Sequence, residues 1–113
     1  MKCGQIVLVN FPFTDHVGSK IRPAMVVSID SFNDRDDFIA VPISAKGDSN
    51  DDHVFQLDPT ANYFAVTGLK PESRYVRWSK LMTLTKAIVH RRLGNMPEVQ
   101  LVQIQQAIKS MFG

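Results

Sequence analysis

One cysteine, Cys3, is all the thiol chemistry that this 113-residue chain contains, so an internal disulfide is excluded and a reducing compartment fits. No apolar run approaches the length of a membrane span, and no charged segment followed by an apolar core opens the chain. Neither a membrane anchor nor a signal peptide is expected, which predicts a cytoplasmic location. Three isolated histidines, His16, His53 and His90, and one distant cysteine lack metal-ligand spacing. No metal and no cofactor are therefore expected. Internal repeats and low-complexity tracts are missing too, and 44% hydrophobic content in so short a chain suits a single domain over residues 1–113.

What the chain does have is punctuation. Six glycines and six prolines are scattered between short apolar runs, which fits many short strands joined by turns better than a helical bundle. Residues 5–10 (QIVLVN) and 21–29 read as strands, the second apolar enough for burial on both faces. Residues 38–44 (FIAVPIS) form a third, in which Pro42 cannot donate to a ladder, so the strand lies at an edge there or bends. Residues 53–57 (HVFQL), 75–78 and 81–84 complete the expected strands, and polar loops of flexible composition are expected at 14–20 and 45–52. A short helical turn is expected within 85–92. After Pro97 and Glu98, apolar residues Leu101, Ile104, Ile108 and Met111 recur at helical spacing, predicting one C-terminal helix across the sheet.

The net charge of +2 conceals an asymmetry. Residues 1–69 carry five Lys and Arg against nine Asp, a balance of −4, whereas residues 70–113 carry eight against Glu72 and Glu98, a balance of +6. A basic second half can track a phosphate backbone, unless the two halves interleave in space and their fields cancel.

The stretch FPFTDHVGSKIRPAMVVS, residues 11–28, places Lys20 and Arg22 at the lip of an apolar strand. Pro23 pushes Arg22 towards an extended conformation, so the guanidinium leaves the backbone at a defined point, as a phosphate ligand must. A solvated surface charge is the alternative reading. Further on, Arg77 and Lys80 bracket Trp78 in YVRWSK. Strand alternation would put Arg77 with Tyr75 and Ser79 on one face, and Trp78 with Val76 and Lys80 on the other. Trp78 is read as core, with base stacking as its alternative.

GQIVLVNFPFTD, GSK-IRPAMVVS, IAVPIS and SRYVRWSKLMTLTKAIVHRRLGNM, in that order from about Gly4 to the end, resemble the MazF/PemK (Kid) toxins of toxin-antitoxin systems. The resemblance implies a mainly β fold, a small SH3-like barrel of CcdB/MazF type with a C-terminal α-helix. It also implies a homodimeric endoribonuclease that cuts single-stranded RNA by attack of the substrate's own 2′-hydroxyl, neutralised by a cognate antitoxin. Arg22 stands at the active-site Arg of the family's RP pair, and Ser44 where similar proteins usually have a catalytic Thr; a serine at a strand end also commonly satisfies a turn. Arg77 matches an Arg that contributes to the site in Kid-type members. Lys20, His53, Arg77 and Lys80 are thus expected to bind RNA and Arg22 and Ser44 to act in catalysis, His53 alternatively being a half-exposed strand residue. The chain departs from the pattern at Lys20, where many members have Glu, and at Ser79, where Kid-type members have Asp, so the proton acceptor is unassigned. A gyrase poison of the CcdB type, or a plain RNA-binding barrel, is the rival expectation.

Overall fold

The computed structural model describes residues 1–12, 19–45, 53–57, 64–70 and 72–113, with the backbone alone at 12, 19, 20, 64 and 65. Its centre is three strands, β1 (Gln5–Pro12), β2 (Ser19–Val26) and β3 (Asp37–Ser44). Buried apolar residues occur in them at both odd and even positions. Ile6, Met25, Val41 and Ile43 join one core cluster, and Val7, Val9, Phe11, Ala24, Val26, Phe38 and Ala40 form another. Neighbours in sequence fall on opposite faces of a pleated strand, so a near-continuous apolar run builds two cores at once.

All the pairings are antiparallel. β1 meets β2 from Ile6↔Met25 through Val9↔Arg22 to Pro12↔Ser19, and β2 meets β3 through Ala24↔Pro42, Met25↔Val41 and Val26↔Ala40. On its other edge β3 changes partner. Its first half, Asp37 to Ala40, pairs with β6 (Met82–Thr85), and its last residues, Ile43 and Ser44, pair with β5 (Arg74–Val76). Pro42 sits at the handover. Its carbonyl accepts from the Arg77 N–H at 2.9 Å, so its missing N–H faces the same gap between β6 and β5, where no ladder bond is lost.

Outside this centre, β4 (Phe55–Leu57) adds to β5, and β7 (Val89–Asn95) adds to β1. The strand order is β4-β5-β3-β2-β1-β7, with β6 branching from β3. The mainly β class with one long C-terminal helix is as expected, while the path of strands stays open among the described residues. The short helical turn expected within 85–92 is present, and the strand β7 that follows it was not anticipated. Only Lys86–Ile88 is helical, a single 3-10 turn, and the chain then returns to the sheet.

Three helices complete the packing, two of them single turns. Helix α1 (Asp30–Asn33) follows β2, and its Asn33 is buried, donating from Nδ2 to the Ser28 carbonyl at 2.9 Å and accepting from the Ser28 hydroxyl. The Ile39 N–H in turn donates to Ser28 Oγ at 2.9 Å, tying the turn to β3. Helix α2 (Phe64–Thr67) lies against β7, so closely that a Cβ at Gly94 would stand 2.8 Å from the Thr67 carbonyl carbon. Helix α3 (Glu98–Ser110) covers the face of Ile6, Met25 and Val41, with Ile104 fully buried and Leu101, Ala107 and Ile108 packed on the same cluster. Leu101, Ile104 and Ile108 realise the predicted stripe, whereas Met111 lies beyond the helix and is exposed. Among the described residues, no helix is long and apolar enough to cross a membrane.

Candidate active site

Opposite α3, the second cluster runs along the sheet and then stops. Ala24, Val26, Phe38 and Ala40 are wholly buried, closed over by Met82, Leu84, Ile88 and Val89. Two residues further along β2 on the same face stands Arg22, which is exposed; beyond Pro42 on β3 stands Ser44, half-buried. The alternation that buries Ala24 and Ala40 therefore presents a guanidinium and a hydroxyl where the apolar cover ends.

A cavity of about 360 Å³ opens there, lined by Phe11, Arg22, Pro42, Ser44, Arg77, Lys80 and Met82 together with Ile43. Arg77 and Lys80 share it because the chain turns directly after β5. The Trp78 N–H donates to the Val76 carbonyl at 3.0 Å and the Lys80 N–H to the Arg77 carbonyl at 3.1 Å. This turn corrects the alternation expected over 75–80, which had set Arg77 and Lys80 on opposite faces. Trp78 is buried in the helix-face cluster, as its core reading required.

Of the other expected site residues, Lys20 is placed by its backbone in β2 opposite Phe11, and its side chain lies outside the described residues, as does His16. The loops expected at 14–20 and 45–52 fall largely outside them too. His53 is exposed and stands edge-on to Trp78, ring centroids 5.4 Å apart at 80°, and it is not among the described residues lining the cavity. Phe11 and Met82 were not anticipated as lining, nor was Arg74. Arg74 joins Arg22, Pro23, Ile43, Ser44 and Ala45 around an adjoining cavity of about 280 Å³. No motif or spacing marks Phe11, Met82 or Arg74; Arg74 and Met82 open β5 and β6, and Phe11 stands near the end of β1.

The described residues lining the main cavity include no carboxylate and no imidazole. Among the described residues, no three His, Cys, Asp or Glu side chains converge as a metal site would require. What the arrangement offers an incoming group is dense positive charge, two planar guanidiniums, one ammonium and one hydroxyl. This matches a phosphodiester, whose oxygens accept from all of them.

The sequence matches the family of PemK-like, MazF-like toxins of type II toxin-antitoxin systems over residues 2–112. The chain belongs to that family. No curated protein sequence matches it. Among solved structures, a MazF from Deinococcus radiodurans superposes with a TM-score of 0.76 at 22% identity, over 100% of this chain and 96% of that one. The MazE-MazF complex from the same organism gives 0.77 at 20% identity over 100% and 96% of the two chains. The Mycobacterium tuberculosis toxin MazF-mt6 gives 0.73 at 17% identity over 96% and 95%. At such identities the likeness speaks for the fold, and the MazF-type fold is what the strands and α3 build.

Proposed function

We propose that this MazF/PemK-family chain is a toxin endoribonuclease that cuts single-stranded RNA by attack of the substrate's 2′-hydroxyl on the adjacent phosphorus, working in the cytoplasm as a homodimer restrained by a cognate antitoxin. The observation that carries this reading is the convergence of Arg22, Ser44, Arg77 and Lys80 on one cavity. Attack forms a bond from the 2′-oxygen to phosphorus, breaks the bond to the 5′-oxygen and leaves a cyclic phosphate. The protein has to hold those groups in line and neutralise the charge that gathers on the non-bridging oxygens. Arg22 and the Ser44 hydroxyl donate to those oxygens, Arg77, Lys80 and Lys20 hold the strand, and His53 contacts it from the flank. Among the described residues no carboxylate or imidazole lines the cavity, so in this reading the 2′-hydroxyl gives its proton to solvent and the leaving 5′-oxygen takes one from it. The logarithm of the rate should then rise with pH without a break near about 6.5, the ordinary imidazole value.

An antitoxin suits the same surface. One structural relative is an endoribonuclease from a mycobacterial species in complex with its cognate antitoxin. A cationic cavity accepts an acidic antitoxin segment by the complementarity that accepts RNA. The experiment is single-turnover cleavage of a labelled RNA with EDTA throughout, beside sedimentation at micromolar concentration. Cyclic-phosphate ends and a dimer are expected. No cleavage, with gyrase inhibited instead, would give the protein to the CcdB type; binding without either effect would make it a plain RNA-binding module.

A further inference from the structure

The third side of the Arg22 strand end carries a cavity that the cleavage site does not use. It measures about 440 Å³ and lies between β1, β7 and the segment that follows α2. Leu8, Leu69 and Leu93 supply apolar lining, and Lys70, Arg74 and Arg91 supply three cations. Lys70 and Arg91 are exposed, while the Arg74 side chain is only 11% exposed and is held in place. Its Nε donates to the Lys70 carbonyl at 3.3 Å, and its Nη2 pairs with Glu72 at 3.0 Å. The cavity also joins the site. Arg74 and Pro23 line both it and the 280 Å³ cavity that contains Arg22 and Ser44.

We propose that this cavity is a nucleotide subsite that receives one residue of the RNA strand flanking the scissile phosphate, its phosphate on Lys70 and Arg91 and its base against the leucines. The inference rests on the endoribonuclease reading. An apolar lining beside cations fits a nucleotide, which presents a flat apolar base and an anionic phosphate on one unit. Glu72 separates this occupant from an acidic peptide. Its carboxylate accepts from the exocyclic amine of a base, a donor that an acidic side chain lacks. Arg74, fixed by Glu72 and shared by both cavities, sets the direction in which the strand leaves the site.

The test measures binding of long and short pools of 2′-O-methyl RNA, which cannot be cleaved, to the unsubstituted chain and to the Lys70→Ala/Arg91→Ala double variant, with Lys2→Ala/Lys109→Ala, two exposed cations outside the cavity, as a charge-matched control. The double variant should lose about tenfold in affinity for long RNA, against a much smaller loss for short RNA. Its salt slope for long RNA should fall by roughly 0.7, the value of one single-strand phosphate contact. Equal losses in the Lys70→Ala/Arg91→Ala variant and in the Lys2→Ala/Lys109→Ala control would mean a diffuse field and overturn the subsite. So would a double variant that holds long RNA as the unsubstituted chain does, or one that loses affinity for decaglutamate alone. If the unsubstituted chain binds and cleaves no RNA, the endoribonuclease reading falls first and takes the subsite with it.

Discussion

β1, β2 and β3 supply both faces of the sheet, and the two faces part company at the strand ends carrying Arg22 and Ser44. On the helix face the apolar lining runs on from Ile6, Met25 and Val41 through Leu69, Met96 and Ile104 under α3. Across the sheet, burial falls from complete at Ala24 to exposed at Arg22 within two residues of β2. The difference teaches where stability and chemistry are stored. On β2 the even-numbered residues run from the buried Val26 and Ala24 to the guanidinium of Arg22, and the odd-numbered ones from the buried Met25 through Pro23 to the exposed Ile21, so one strand serves both purposes without placing a charge in the core.

The comparison breaks most visibly at Ile104. It is fully buried on the helix face, and Ile104→Ala should lower stability by about 2–5 kcal/mol, the transfer and cavity cost of truncating a core side chain. Urea denaturation reads this directly. The folded fraction of that variant should cleave RNA at the unsubstituted rate, since α3 touches the other face. A folded Ile104→Ala protein with impaired cleavage would mean that the faces are mechanically coupled.

Arg22→Lys is the converse. Lysine keeps the charge that attracts RNA and loses the planar fork of donors, so cleavage should fall on the order of 100-fold, or about 3 kcal/mol, while the unfolding midpoint stays put. Arg77→Ala, at the far wall of the cavity, should weaken binding of a 2′-deoxy analogue by about tenfold, or 1.4 kcal/mol. Cleavage by Arg22→Lys at the unsubstituted rate would make Arg22 an anchor for its strand and leave the chemistry without its main donor.

The same contrast explains what could be read in advance. Burial on two faces demands apolar residues at consecutive positions, and that pattern stands out in β1, β2 and β3. α3 announces itself by the spacing of Leu101, Ile104 and Ile108. β7 does neither. It pairs on one side only, and its register with β1 shifts between Ile6 and Val7 and again between Leu8 and Val9, so VHRRLGN shows no steady alternation. α1 and α2 are single turns held by tertiary partners such as Ser28 and β7, and their sequences carry no periodicity to find. Within the site, Arg22 is legible because Pro23 fixes the strand position beside it, and Ser44 only through the resemblance of IAVPIS to the family. The meeting of Arg77 with Lys80 was not legible. It depends on a turn after Val76 in which the Trp78 and Lys80 N–H groups donate to the Val76 and Arg77 carbonyls, and composition says nothing of those bonds.

The smallest expected effect lies at Cys3, where the helix face meets the edge of the sheet. The thiol donates to the Val27 carbonyl at 3.5 Å and accepts from Gln105 Nε2 on α3 at 3.2 Å. Burial raises its pKa above the usual 9.0, the Gln105 hydrogen bond works against that shift, and the Asp30 carboxylate adds to it. A raised folded value means that the native state holds its proton longer than the unfolded chain does. The resulting stabilisation is complete below the unfolded value and is lost as pH rises through the folded one. Between about pH 8 and 10 the urea midpoint should therefore fall more steeply for the unsubstituted protein than for Cys3→Ala, and a thiol reagent should modify Cys3 slowly until urea opens the fold. Parallel midpoints would show that the thiol stays protonated equally in both states. Fast modification of the folded protein would show that α3 leaves the sheet readily at this end, and the helix face would then be less firmly closed than the contrast with the open face requires.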